Sequence, residues 1–223
     1  INNDLRPDVI SLDMLPEHSY HQKMILGPEN YEKYNALLAE GFFPQSMRNM
    51  LHLNQGNGFF SEIGQLSGIS NTDWSWAPLF ADYDNDGLKD LFVTNGYYRD
   101  YTNRDFLKYK GDYYFEKGKT KEKADTFHLV STMTSTPIHN YIFKNNGDLT
   151  FADKSKEWGF GERNFSSGAA YADFDNDGDL DLVINNQNQV ASVYKNLTRE
   201  NNPSQNYLQV SLKGIGKNTR AIG

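Results

Sequence analysis

An acidic loop that occurs twice in the same frame constrains this chain more than any other feature. Residues 81–95 read ADYDNDGLKDLFVTN and residues 172–186 read ADFDNDGDLDLVINN, identical at nine of fifteen positions and 91 residues apart. Each contains D-x-D-x-D-G-x-x-D: Asp82, Asp84, Asp86, Gly87 and Asp90, then Asp173, Asp175, Asp177, Gly178 and Asp181. Four carboxylates within nine residues repel one another unless a cation sits among them. Calcium takes six to eight oxygen ligands from a flexible loop, and alternate Asp side chains converge on one ion if the chain curls around it. The glycine supplies the positive-φ bend of such a curl.

An EF-hand begins the same way but needs a Glu at its twelfth position and flanking helices. Here the twelfth positions are Val93 and Ile184, and Leu91–Val93 and Leu182–Ile184 look like strands. The ninth-position Asp is expected to close the ring instead, in a short loop between two β-strands. A solvated hairpin turn also uses N-D-G; recurrence in one strand frame favours the ion. A damaged third copy opens the chain. In INNDLRPD, Asn2, Asp4 and Asp8 take the third, fifth and ninth positions, and Leu5 replaces the glycine. A weakened or empty site is expected there.

The repeat extends beyond its loop. Strands are expected at Ser75–Ala81 and Ser167–Ala172, then at short apolar runs ending in Asn95 and Asn185. Residues 49–62, NMLHLNQGNGFFSE, resemble residues 140–153, NYIFKNNGDLTFAD, and SVYKN at 192–196 is a last echo. Four short strands per unit with turns between them is the pattern of a propeller blade. The reading is all-β with helical insertions: about three blades of a partial β-propeller over 1–200, with insertions at 13–47 and 97–138. In the first insertion Pro28 opens a helix, Tyr31, Tyr34, Leu37 and Leu38 form its apolar face, and Gly41 ends it. In the second, KTKEKADTFHLVSTM is expected to be helical. Asn201, Asn202 and Pro203 read as a linker, and NYLQVSLKG as a further strand.

These residues resemble a family. The D-x-D-x-D-G-x-x-D loops, with AD before and L-x-x-N after, are similar to FG-GAP/VCBS calcium repeats, which build the propeller head of integrin α subunits and of many bacterial surface proteins. The stretch NYLQVSLKGIGKNTRAIG resembles the opening of an ASPIC/UnbV domain, which places the start of that domain in 201–223. DMLPEHSYHQK, NTDWSWAPLFADYDNDG and TNGYYRDYTN resemble large cartilage-acidic-protein-like members of the Bacteroidetes type. The resemblance implies calcium ligands at Asp82, Asp84, Asp86 and Asp90 with the carbonyl of Leu88. It implies a second set at Asp173, Asp175, Asp177 and Asp181 with the carbonyl of Asp179, and Asn2, Asp4 and Asp8 in the damaged loop. It also implies an internal fragment of a longer chain, since three blades do not close a ring.

Composition narrows the function. The net charge of −7 argues against a nucleic-acid binder. Absence of cysteine excludes disulfides, thiolate metal sites and a cysteine nucleophile. No apolar run has membrane length. Calcium modules of millimolar affinity work outside the cytosol, so an extracellular, cell-surface or periplasmic location is expected. His18, His21, His52, His128 and His139 show no zinc spacing beyond the His18–His21 pair, and Gly56–Gly58 reads as a β-turn. No G-x-S-x-G or H-E-x-x-H appears. Trp74 and Trp76 either stack on sugars or pack between blades. Tyr97, Tyr98, Arg99 and Tyr101 form a recognition surface or cover the blade's own core. The function expected is a non-catalytic, calcium-binding surface scaffold for a protein or glycan partner. The alternative is a carbohydrate-active propeller enzyme.

Overall fold

A computed structural model describes residues 1–25, 31–121 and 123–219. The repeats become three small antiparallel sheets stacked face to face. The first contains β1 (Val9–Ser11), then α1 (Ser19–Ile25) and α2 (Tyr31–Ala39) as an excursion, then β2 (Met50–Asn54) and β3 (Phe60–Glu62). The second contains β4 (Ser75–Ala81) and β5 (Asp90–Asn95). An excursion of α3 (Arg104–Thr120), α4 (Thr126–Thr132) and β6 (Ile138–His139) follows, then β7 (Tyr141–Asn145) and β8 (Phe151–Asp153). After β9 (Arg163–Asn164), which pairs with β6, come β10 (Ser166–Ala172), β11 (Asp181–Asn186) and β12 (Ser192–Tyr194) of the third sheet, then α5 (Thr198–Asn201).

Among the described residues only the middle sheet has four strands, in the meander order β4-β5-β7-β8. The outer two have three each, and no closed ring forms among the described residues. Five helices among the described residues make the fold mixed rather than all-β. The expected hairpins do form: Ala81 pairs with Asp90 across the first acidic loop and Ala172 with Asp181 across the second.

Alternation on the strands decides the stacking, because successive side chains point to opposite faces. Leu91, Val93, Tyr141, Phe143 and Phe151 turn one way and pack on Leu51, Leu53 and Ile63 of the first sheet. Phe92, Ile142 and Ala81 turn the other way and pack with Leu182 and Ile184 of the third. Phe92 and Val93 are both fully buried, so the middle sheet is covered on both faces.

A polar ladder runs beside these cores. Ser75 Oγ donates to Asn95 Oδ1 (2.8 Å), and Asn95 N donates to Asn140 Oδ1 (2.8 Å). Asn140 Nδ2 donates to Ser166 Oγ (3.0 Å), which donates to Asn186 Oδ1 (2.8 Å). All but Ser75 are buried, so each bond spares an otherwise costly unsatisfied group. The equivalent of Asn95 is therefore Asn186, one residue beyond the Asn185 expected from the strand pattern.

Both helical excursions leave from the ends of β1 and β5, opposite the acidic loops. Helix α2 covers the expected segment and buries none of its residues, so it projects. Gly41, at φ 86°, ends it: Gly41 N bonds Leu38 O and Phe42 N bonds Leu37 O. Pro28 lies outside the described residues. In the second excursion helix 119–133 is not continuous. Helix α3 stops at Thr120, and α4 starts after Asp125, whose side chain accepts from His128 N. Residues 206–214, expected to form a strand, form none. No helix among the described residues is long and apolar enough to cross a membrane.

Candidate metal centre

Each acidic loop folds around its own first carboxylate. Asp82 accepts from Asp86 N (3.0 Å) and Gly87 N (2.9 Å), and Asp86 accepts from Leu88 N (2.9 Å). The second loop repeats this: Asp173 accepts from Asp177 N and Gly178 N (both 3.1 Å), and Asp177 from Asp179 N (3.0 Å). The curl needs left-handed backbone twice. Asn85 and Asn176 sit at φ 54° and 60°, Gly87 and Gly178 at φ 88° and 94°. Asn and Gly are the residues that tolerate this region.

The curl gathers carboxylates. Asp82, Asp84 and Asp86 each bring one oxygen within 4.8 Å of the others, and so do Asp173, Asp175 and Asp181. A third group, unforeseen from the sequence, joins Asp177 and Asp179 to Glu200 of α5. The Asp179 carboxylate, fully buried, is also held by Asn85 Nδ2 (2.6 Å) and Arg199 N (2.7 Å). It thereby ties the second loop to the first, as Asn3 Nδ2 ties the damaged loop to Gly87 O (2.8 Å).

The ninth-position Asp does a different job from the rest. Asp90 is fully buried and accepts from Tyr83 N (3.1 Å) and Asn145 N (2.9 Å), one bond per oxygen. Asp181 accepts from Phe174 N (3.0 Å) and Asn196 N (2.8 Å) in the same way. These bonds pin the loop to the third strand of its sheet. Each oxygen keeps a second lone pair for an ion. Burial lifts the Asp82 carboxyl and pushes Asp90 up to about 7, against backbone N–H groups that favour the anion. A cation beside them would reverse that lift.

Two lysines, not foreseen from the sequence, also neutralise these loops. Lys144 Nζ bonds Asp84 and Asp86, the latter at 2.6 Å. Lys195 Nζ lies 2.5 Å from Asp175, 3.2 Å from Asp177 and 3.0 Å from Glu200. Burial opposes the charge of Lys144, but the bonds to Asp84 and Asp86 outweigh it and hold its pKa above the usual lysine range. The signal was present as the K-N that follows the apolar run in both IFKNN and VYKN. Even so, Asp84 Oδ1 is buried without a hydrogen bond, while Asp177 Oδ2, also buried, faces Lys195 Nζ. An orphaned carboxylate oxygen among clustered carboxylates fits a hard divalent cation.

In the N-terminal loop, Asn3 and Leu5 take the same left-handed positions, at φ 57° and 66°. Asp4 accepts from Arg6 N (3.0 Å), and Asp8 from Ile1 N (2.7 Å) and Asn54 N (2.9 Å). Asn2 Nδ2 turns to Asp4 (3.2 Å). The backbone path survives, but no acidic cluster forms there among the described residues.

At the opposite end, Trp74 stacks on Tyr97 (4.5 Å) and meets Tyr101 edge-on (5.8 Å). Tyr98 packs on Phe165, and Arg99 lies over Tyr98 (4.8 Å) while donating to Met133 O (2.9 Å). Tyr98 and Arg99 are thus engaged within the protein, whereas Trp76 and Tyr101 stay exposed. His21 pairs with Asp73 (2.7 Å) rather than standing as half of a His18–His21 site. That bond raises the His21 pKa.

Comparison with known families turns on the loops just described. The FG-GAP-like repeat matches residues 37–93 and again 129–184, just over half of the chain. The chain belongs to the FG-GAP-like repeat family. Both matched intervals end inside the hairpin that carries an acidic loop. The match supplies no support for an ASPIC/UnbV domain at 201–223. Comparison with curated proteins finds no match.

Proposed function

We propose that this FG-GAP repeat protein is an exported, non-catalytic scaffold whose acidic loops hold calcium. One observation carries the reading: equivalent loops each gather three carboxylates within 4.8 Å, and the first leaves a buried oxygen on Asp84 without a hydrogen bond. Asp82, Asp84 and Asp86 would hold one ion with Asp90, and Asp173, Asp175 and Asp181 another with Asp177. The Leu88 and Asp179 carbonyls would complete the sets. A bound ion supplies divalent charge that offsets carboxylate repulsion and locks the curl. The loops also bridge neighbouring sheets through Asn3 and Asn85, so calcium would stiffen the stack rather than take part in a reaction.

The binding surface of this scaffold is placed at the other end, on the helical excursions. Tyr31, Phe43, Tyr101, Phe115 and Phe127 are exposed on them. Exposed aromatics suit a protein or glycan partner. At calcium about 100 times its dissociation constant, linkage gives about 2.7 kcal/mol per site. For a chain of this size that is roughly 5–10 °C in melting temperature. Calorimetry with and without chelator should show at least one such step, and Asp86→Ala and Asp177→Ala should each remove part of it. An unchanged melting curve would sink the structural role. Glycan and protein arrays screened with and without calcium test the partner.

A further inference from the structure

The third sheet is one strand short, and the missing strand leaves a shaped slot. In the middle sheet β8 pairs with β7, Asn145 facing Phe151 and Phe143 facing Asp153. Phe151 N donates to Ser67 O (3.0 Å), and the Phe151 ring is buried in the core shared with the first sheet. The same places exist one sheet further on. Strand β12 is the counterpart of β7, since Tyr194 faces Leu182 as Phe143 faces Leu91. Trp158 is the counterpart of Ser67: Trp158 N bonds Lys154 O as Ser67 N bonds Ile63 O. Between Trp158, Phe160, Leu182 and Tyr194 lies a cavity of about 580 Å³. Among the described residues no strand pairs with the outer edge of β12, and Val193 on it is 70% exposed.

The chain itself passes the mouth of this slot. Gln205 lines the cavity, and Leu208, three residues on, is within roughly 10 Å of chain reach. Tyr207 packs against Arg199 (5.2 Å) and lies over Gly178, which pins the start of the segment beside the slot. The following Leu208, Val210 and Leu212 alternate with Gln209 and Ser211 and are 86%, 65% and 64% exposed, in no strand. Period-two aliphatic alternation is the pattern of a half-buried strand, and an open sheet edge is its template.

We propose that Leu208–Leu212 is the fourth strand of the third sheet, pairing antiparallel with β12 so that Leu208 fills the cavity as Phe151 fills its own. The register follows from the middle sheet: Leu208 opposite Asn196, Val210 opposite Tyr194, Ser211 opposite Val193. Leu208 and Val210 then face Trp158 and Leu182, and Gln209 and Ser211 face outward. The connection, residues 197–207, is longer than residues 146–150 in the middle sheet, and it accommodates α5.

The protein has no cysteine, so an introduced pair reports directly. Val193→Cys with Ser211→Cys should close to an intramolecular disulfide under mild oxidation. The pair two residues out of register, Val193→Cys with Gln209→Cys, should close at least about tenfold more slowly. Adding Leu208→Asp, at an exposed residue that threatens no existing packing, should slow the in-register pair by at least about tenfold, the scale of burying one leucine. Equal rates in both registers, indifference to Leu208→Asp, or no bridge at all would overturn the proposal. A disulfide-linked dimer would overturn it too, because the slot would then take a second copy's strand.

Discussion

The loop at 82–90 and the loop at 2–8 share a backbone path and differ in chemistry. Both bend through two left-handed residues, and in both the ninth-position Asp accepts one hydrogen bond on each oxygen, one of them in the 2–8 loop from the Ile1 ammonium. Only 82–90 gathers three carboxylates. The loop shape therefore does not depend on the acidic cluster. Within D-x-D-x-D-G-x-x-D two jobs separate: the ninth Asp and the bend residues build the curl, and the third position, Asp84 against Asn2, adds charge to it.

The largest effect expected from this division is at Asp90. Asp90→Ala would leave Tyr83 N and Asn145 N buried without acceptors, and each such group costs about 1–3 kcal/mol. A loss of roughly 3–5 kcal/mol should appear in urea melts both with calcium and with chelator. Asp86→Ala should lower stability chiefly when calcium is present. If Asp90→Ala is silent in chelator, the ninth position is only a ligand and the division fails.

A smaller effect is expected at Lys144. Its ammonium occupies the carboxylates that an ion would use. Lys144→Gln should weaken the calcium-free protein and raise calcium affinity by about tenfold, or about 1.4 kcal/mol. Titration calorimetry on both proteins decides it. Unchanged or weaker affinity would mean that the lysine and the ion do not compete.

This comparison also shows what a sequence can disclose. The hairpins and their loops were legible because a loop motif and period-two alternation are local. Helix α2 was legible from its apolar spacing and from Gly41. Helix α3 was not: its mixed tyrosines and lysines, with Gly111 and Gly118 inside, hide an amphipathic stripe. What starts it is Asn103, whose side chain caps Asp105 N and Phe106 N. The lysine partners and the Ser75–Asn95–Asn140 ladder were hidden because their members lie 18 to 60 residues apart in the chain. The strand expected at NYLQVSLKG has the right alternation, but alternation names no partner edge.

The finest test of the shared path is an exchange of bend residues. Leu5 holds φ 66° with its side chain fully exposed, so it pays the left-handed cost and gains no packing. That cost is about 1–2 kcal/mol, and the extra entropy of glycine in the unfolded chain returns part of it. Leu5→Gly should therefore stabilise by about 0.5–1 kcal/mol, or roughly 2–3 °C. Gly87→Leu is the reverse experiment. A Cβ there meets nothing within 4 Å, so the backbone alone opposes it. In chelator the two changes should be equal in size and opposite in sign. In calcium the cost of Gly87→Leu should grow, and the excess measures how tightly the ion needs the curl. Different sizes in chelator would show that the two loops do not share one backbone path.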